Sequence, residues 1–364
     1  MIVVVGRYAN GPVERDGMVQ RIKYIDTVLA TESRVYLDLS IRRNILASIE
    51  QIDNVTIYHL NQVLHRRRIV RLLRKANVIY YHSILNFQRV GRYSPVAGQC
   101  SFLDLHGVVP EELEMAGQLR DAEKMQTVER KAIMTADAIV VVSDNMAEHI
   151  MTKYNITKAH DSIITLPHAE IEIQARPGRS SDNDLRIVYV GGIRPWQNVP
   201  LMVEVCRGLE RLRTKITFLV PDIEGFMHIS GGLVGLENVE VASEPHAGVA
   251  GRLLRADVGF VLRNDTVVNR VAVPTKLIEY LACGVVPIVI QPVIGDFARI
   301  GYKYLTVDDI LTGRYTITDL EAMRQHNYGV LRVLQAQARQ GGKLLHARLG
   351  GCGSSDAAVQ VGSP

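Results

Sequence analysis

Two successive sets of short, predominantly apolar runs, each spaced by helix-length segments, constrain this 364-residue chain more than any other feature. In the first half the runs fall at 2–5, 35–39, 55–58, 78–81, 102–105, 139–142 and 163–166. In the second half they fall at 187–190, 216–220, 239–241, 258–262 and 286–290. Runs that are apolar at all but at most one position describe strands largely covered on both faces, and their alternation with helices describes parallel sheets. Two such sets predict an α/β chain of two Rossmann-like, doubly wound domains. The polar stretch 176–184 (RPGRSSDND) reads as a linker, giving a first domain at 1–175 and a second at 185–340. A final helix over 318–340 is placed to pack back on the first domain. After it, the glycine- and serine-rich 341–364 is predicted to be a flexible tail.

Composition removes several classes. Lys plus Arg number 42 against 38 for Asp plus Glu, a net charge of +4 that excludes a strongly basic nucleic-acid binder. No apolar run approaches the ~18 residues of a membrane-spanning helix. The N-terminus MIVVVGRYANG has no basic lead and reads as a buried first strand rather than a signal peptide. Cys100, Cys206, Cys283 and Cys352 are far apart with no C-x-x-C spacing. They fit a reducing, cytoplasmic compartment and argue against structural zinc or a disulfide framework.

Open α/β sheets bind ligands beyond the carboxyl ends of their strands, so the cleft between two such domains is the expected site. Four segments stand there. The loop GRYANGPVERDG follows the first strand, and its Gly11 and Gly17 lead into a helix whose N-terminus favours an anion. It lacks the strict G-x-G-x-x-G spacing of a nicotinamide-binding fold. In FLDLHGVVP, His106 closes a strand, with Asp104 two residues earlier on the same side. In VYVGGIRPWQN, Gly191 and Gly192 end a strand, and Arg194 and Gln197 offer a charge and an amide to a phosphate. There Asn198 is the expected helix N-cap, and Pro200 sits in the first turn. In RVAVPTKLIEYLACGVVP, Pro274 opens a helix, Lys276 lies near its positive end, and Glu279 lies one turn on. A phosphate at the helix N-terminus and a ribose diol on the carboxylate make a nucleotide geometry; the alternative is a surface ion pair between the two side chains.

These segments, in this order, resemble the retaining glycosyltransferases of the GT-B fold, specifically glycosyltransferase family 4. PTKLIEYLACGVVPIV is very similar to that family's P-x-K-L-x-E-Y-L-A-x-G-x-P-V-V segment. YVGGIRPWQNVPLMVEV resembles its glycine loop and following helix. LHGVVPEE and ERKAIMTADAIVVVSDNM resemble its strand–His segment and its A-D-x-I-x-x-V-S strand. The resemblance implies that Glu279 binds the ribose, that Lys276 sits by the diphosphate or sugar, that His106 approaches the donor sugar and that the Gly17 loop faces the diphosphate. Thr275 and Leu277 complete the implied donor-binding turn around Lys276. Two departures stand out. The family's Arg and Lys diphosphate clamp reads Gly192 and Gln197 here, leaving Arg194 as the nearby substitute, and its first glutamate reads Val271.

The implied reaction is sugar transfer, with retention at the anomeric carbon, from a UDP- or GDP-linked donor to a saccharide or lipid-linked acceptor. It needs no bound metal or other cofactor. A role in bacterial surface polysaccharide synthesis is expected, with no nucleic-acid partner. Two further readings stay open: a nucleotide-sugar epimerase on the same architecture, and a degenerate, non-catalytic transferase subunit. Finally, Arg67, Arg68, Arg71, Arg74 and Lys75 share one helical face opposite Ile69, Leu72, Leu73 and Ala76. That face is either simply solvated or a peripheral dock for anionic lipid on the inner face of the plasma membrane.

Overall fold

Strands form at each of the apolar runs. The structure, a computed structural model, describes residues 1–9, 17–156, 162–178, 184–210, 212–231, 233 and 236–353. The chain divides into two compact units. One holds Met1–Val142, Ala147–Leu166 and the chain from Ala338 onward; the other holds Ser143–Met146 and Pro167–Gln337. The crossing at Leu166/Pro167 precedes the expected linker, and Arg176 belongs to the second unit, where its guanidinium donates to the carbonyls of Cys283 and Gly284. Residues 179–183 of that linker lie outside the described residues.

The first unit contains β1 (Ile2–Val5), β2 (Arg34–Ser40), β3 (Ser48–Ile52), β4 (Val55–Asn61), β5 (Val78–His82), β6 (Cys100–Leu105), β7 (Ala138–Val141) and β8 (Ile163–Thr165). They form one sheet in the order β3-β4-β2-β1-β5-β6-β7-β8, parallel throughout except for the antiparallel edge pair β3–β4. Strand β3 escapes the sequence pattern because SIEQI is exposed or half-buried along its length and needs no apolar run. The second unit contains β9 (Leu185–Val190), β10 (Thr214–Leu219), β11 (Val239–Ala242), β12 (Val258–Phe260), β13 (Val286–Val289) and β14 (Leu305–Thr306). Its sheet is wholly parallel, in the order β11-β10-β9-β12-β13-β14. The winding reverses between β1 and β5 in one sheet and between β9 and β12 in the other. Crevices for ligands open at such reversals.

Two expectations need correction. The last helix runs Ile317–Gly353, so 341–353 is helical rather than a flexible tail, while 354–364 lies outside the described residues. Its glycines act by closeness rather than as breakers: a Cβ on Gly341 would sit 2.3 Å from the Thr165 carbonyl oxygen. Leu345 and Leu349 then reach the core of the first unit, where each buried leucine contributes about 1.5–3 kcal/mol. The second correction concerns cysteine. Cys100 on β6 and Cys352 on this helix form a disulfide across 252 residues of sequence, whereas Cys206 and Cys283 are free and buried. Sequence distance hid the pairing, because only the docked helix brings Cys352 to the start of β6. Among the described residues no helix is long and apolar enough to cross a membrane.

Candidate functional site

In the second unit, β9 delivers Gly191 and Gly192 to the sheet reversal. Gly191 has φ +144°, a backbone that other residues rarely adopt. A Cβ there would lie 3.0 Å from Lys276 Nζ and 3.3 Å from the Tyr189 hydroxyl, so glycine gives both groups their space. The Tyr189 hydroxyl donates to the Gly192 carbonyl at 2.5 Å and fixes the loop. Next to it begins the helix Thr275–Ala282, opened by Pro274.

Lys276 is almost wholly buried. Its ammonium donates to Gln197 Oε1 at 2.6 Å and stands 4.1 Å from the centre of the Tyr189 ring. No ion pair joins it to Glu279, so the surface-pair alternative does not describe this helix. Burial, with the nearby Arg263 charge, pulls the Lys276 ammonium well below the usual lysine range, against the weaker pull of Glu279. Glu279 has no hydrogen-bond partner for its carboxyl among the described residues, while its backbone carbonyl accepts from the Cys283 amide. Burial pushes its carboxyl up to about 7, against the lowering effect of Lys276.

Arg263 is the residue that sequence reasoning missed. It follows β12, on the other side of the reversal, and is 6% exposed. One guanidinium nitrogen donates to the amide oxygen of Asn269 at 3.1 Å, while Nε is buried with no partner. Asn269, itself buried, is held by the carbonyl of Asn264. Burial lowers the guanidinium to about 10, with the Tyr189 hydroxyl acting in the opposite direction. Among the described residues no carboxylate pairs with Arg263 or with Lys276. Two cations held out of water without a counter-ion are costly unless an anion arrives. The signal was present in the sequence, as a charged residue immediately after the apolar run VGFVL.

Other predicted residues are placed differently. Arg194 is exposed. Thr275 is half-buried, and its amide, like that of Lys276, belongs to the first turn, which has no intrahelical acceptors. Leu277 is fully buried in the core and its amide donates to the Pro274 carbonyl, so neither its side chain nor its N–H is open to a ligand. Asn198 does not cap its helix: it adopts φ +57°, and its amide nitrogen donates to Asn264 at 3.1 Å. Pro200 does sit in the first turn of that helix, Val199–Gly208. Val271, where the family's first glutamate falls, is buried, and its carbonyl accepts from the Ser143 hydroxyl at 2.6 Å.

In the first unit Gly11 lies outside the described residues, and Gly17 opens the helix Gly17–Val28 with open space where a side chain would stand. The Arg21 guanidinium on that helix is buried, donating to Asp104 at 2.8 Å and to the Leu166 carbonyl at 2.6 Å. Asp104 also meets His82 Nδ1 at 3.2 Å. His82 ends β5 and was not singled out in the sequence. His106 Nδ1 is 3.7 Å from the same carboxylate, too far for a hydrogen bond, and is left buried without one. Burial alone would raise the Asp104 carboxyl, but Arg21 and the two imidazoles outweigh it and hold the group well below the usual carboxylate range. Burial depresses the His82 imidazole despite Asp104. Positive charge at this reversal is therefore neutralised from within.

No family model and no curated protein sequence matches the chain. Solved structures do. Sucrose-phosphate synthase from Thermosynechococcus elongatus is 14% identical with a TM-score of 0.69, covering 96% of this chain and 99% of its own. The trehalose-6-phosphate synthase OtsA is 13% identical with a TM-score of 0.67, covering 97% and 99%. Anabaena HepE, solved in complex with UDP-glucose, is 11% identical with a TM-score of 0.66, covering 95% and 99%. At these identities the likeness defines the fold, and the chain has the GT-B fold of glycosyltransferases.

Proposed function

We propose that the chain is a retaining glycosyltransferase. It moves a sugar from a UDP- or GDP-linked donor to a saccharide or lipid-linked acceptor, on the cytoplasmic side of a membrane, in bacterial surface polysaccharide synthesis. The observation that carries this reading is the pair of buried cations, Arg263 and Lys276, without a counter-ion at the reversal of the second sheet. A diphosphate supplies the missing anion. The free Glu279 carboxyl, one helical turn from Lys276, accepts the ribose hydroxyls. Gly191 and Gly192 let the phosphates approach the backbone, and the open amides of Thr275 and Lys276 add donors at a helix N-terminus. That the same fold in HepE was solved with UDP-glucose supports the donor class.

The clamp missing at Gly192 and Gln197 is replaced from elsewhere. Arg263 comes from the neighbouring strand, while Gln197 orients the Lys276 ammonium. In the reaction the bond from the anomeric carbon to the diphosphate oxygen breaks and a bond to the acceptor oxygen forms on the same face. The acceptor proton passes to the leaving diphosphate. Arg263 and Lys276 stabilise the charge growing on that leaving group, a contribution that is largest where water is excluded. His106 is assigned to the transferred sugar through the family resemblance.

The test is incubation with a panel of UDP-, GDP- and ADP-linked sugars and candidate acceptors, with the product anomer read by NMR. Transfer with retained configuration supports the proposal. Inverted product removes the retaining mechanism. Nucleotide binding without turnover makes the chain a non-catalytic subunit, and interconversion of the donor sugar makes it an epimerase.

A further inference from the structure

The first unit carries exposed aliphatic side chains on a loop and on the turn that leads into a basic helix, and nothing in the nucleotide reading uses them. Ile41, Ile45 and Leu46 on the loop after β2 are 67%, 66% and 87% exposed; Val63 and Leu64, on the turn after β4, are 67% and 63% exposed. Isolated exposed aliphatics are ordinary, whereas five gathered in one place ask for an occupant.

The patch is built rather than loose. Asn61, 4% exposed, donates its amide to the carbonyls of Ile41 and Arg43 at 2.9 and 3.1 Å. Its oxygen accepts from the amides of Val63 and Leu64 at 3.0 and 3.2 Å. One side chain thus ties the loop to the turn. Asn44, at φ +59°, donates back to the Asp38 carbonyl, and the Ser40 hydroxyl accepts from the Arg43 amide. The backbone polar groups are satisfied inward, and the aliphatic side chains stand outward.

Basic residues adjoin them in sequence. The helix Arg66–Lys75 buries Ile69 and Leu73 and leaves Arg66, Arg67, Arg71, Arg74 and Lys75 exposed; of the basic face read from the sequence, Arg68 is half-buried. Arg42 and Arg43 are exposed on the loop. Residues 41–76 hold eight basic and two acidic residues, a local excess of +6 against +4 for the whole chain. Arg66 rests on the ring of Tyr93 and Arg68 on that of Tyr58, at 5.4 and 5.0 Å, which orders both guanidinium groups.

We infer that this face docks on an anionic lipid surface, with Ile45, Leu46, Val63 and Leu64 entering the headgroup layer and the arginines resting on lipid phosphates. Stable peripheral binding takes two signals, and aliphatic insertion beside a polybasic surface supplies both. A protein partner is less well matched in the apolar part: the exposed groups are Ile, Leu and Val, of which Leu and Val are under-represented among protein hot spots, while the arginines suit either partner. The helix alone, as read from sequence, offered only the electrostatic half.

Co-sedimentation of the full chain with phosphatidylcholine vesicles, with and without phosphatidylglycerol, tests this. The wild type is expected to partition onto the anionic vesicles and not onto the neutral ones. Replacing Arg67 and Arg71 by Ser weakens partition about fivefold per arginine, since each basic residue near such a surface contributes about 1 kcal/mol. Ile45→Ser with Leu46→Ser weakens it by on the order of tenfold or more. All four positions are exposed, so thermal unfolding matched to wild type verifies the fold. Equal partition onto neutral and anionic vesicles, no partition at all, or variants that bind like wild type would each overturn the inference. So would a dimer in light scattering that Ile45→Ser and Leu46→Ser convert to monomer without any vesicle binding, which would make the face an interface between copies.

Discussion

The two sheets of this protein reverse their winding in the same way and place buried cations at the reversal, yet they treat those charges oppositely. In the first unit Arg21 is matched by Asp104 and by a backbone carbonyl, with His82 on the same carboxylate. In the second unit, among the described residues, the Arg263 guanidinium hydrogen-bonds only to a neutral amide and the Lys276 ammonium to another. Topology says where a ligand crevice opens. The local charge balance is what distinguishes the two crevices. An arginine closed on its own carboxylate is matched within the chain, whereas the one held by asparagine is, on the proposed function, assigned to an incoming anion.

Substitutions can break this comparison. The largest expected effect is on stability at the first reversal. Arg21→Met leaves Asp104 buried without its cation and should cost about 3–5 kcal/mol, measured by chemical denaturation. A loss below about 1 kcal/mol would mean that the Arg21–Asp104 pair is not the structural element described. At the second reversal Lys276→Met removes a buried, unmatched charge. It should leave the denaturation midpoint near that of wild type while nucleoside diphosphate affinity falls by on the order of a hundredfold, as for a charge-assisted contact. Gly191→Ala comes next: strain at φ +144° and crowding of the Lys276 ammonium should cost about 1–3 kcal/mol and weaken nucleotide binding in parallel.

The smallest effect is a pH dependence. Burial pushes the Glu279 carboxyl up to about 7 in the free protein, and on the proposed ribose assignment it accepts hydroxyls best when ionised. Below that value it is protonated, so nucleotide affinity should rise about tenfold from roughly pH 6 to pH 8. Glu279→Gln should flatten the profile. A profile unchanged by that substitution would remove the ribose assignment.

Much of this was legible in the sequence. Predominantly apolar runs located twelve of the fourteen strands among the described residues, because burial on both faces leaves little room for polar side chains; β3 and the two-residue β14 escaped. Lys276, Glu279 and Gly191 stood out in the sequence because they lie within single local patterns, a helix start and a strand end, and the structure places Lys276 beside Gly191. Arg263 and His82 did not, because their significance comes from neighbours distant in sequence: Lys276 and Tyr189 for one, Asp104 for the other. Leu277 was misjudged for the related reason that proximity along a helix does not decide which face a residue occupies. The terminal helix was misjudged because glycine reads as a breaker locally, while Gly341 serves a close approach to β8 that only the docked structure reveals. Cys352 was misread with it.

The central claim is that Arg263 is held uncompensated for a diphosphate. Calorimetric titration of wild type and Arg263→Met with UDP, GDP and ADP, paired with thermal unfolding of both proteins without ligand, tests it most directly. The account predicts that one of these nucleotides binds the wild type and that the variant binds it at least about a hundredfold more weakly, with unfolding within ~1 kcal/mol of wild type. Equal affinity in the two proteins, or a variant that is strongly destabilised yet still binds, would contradict it.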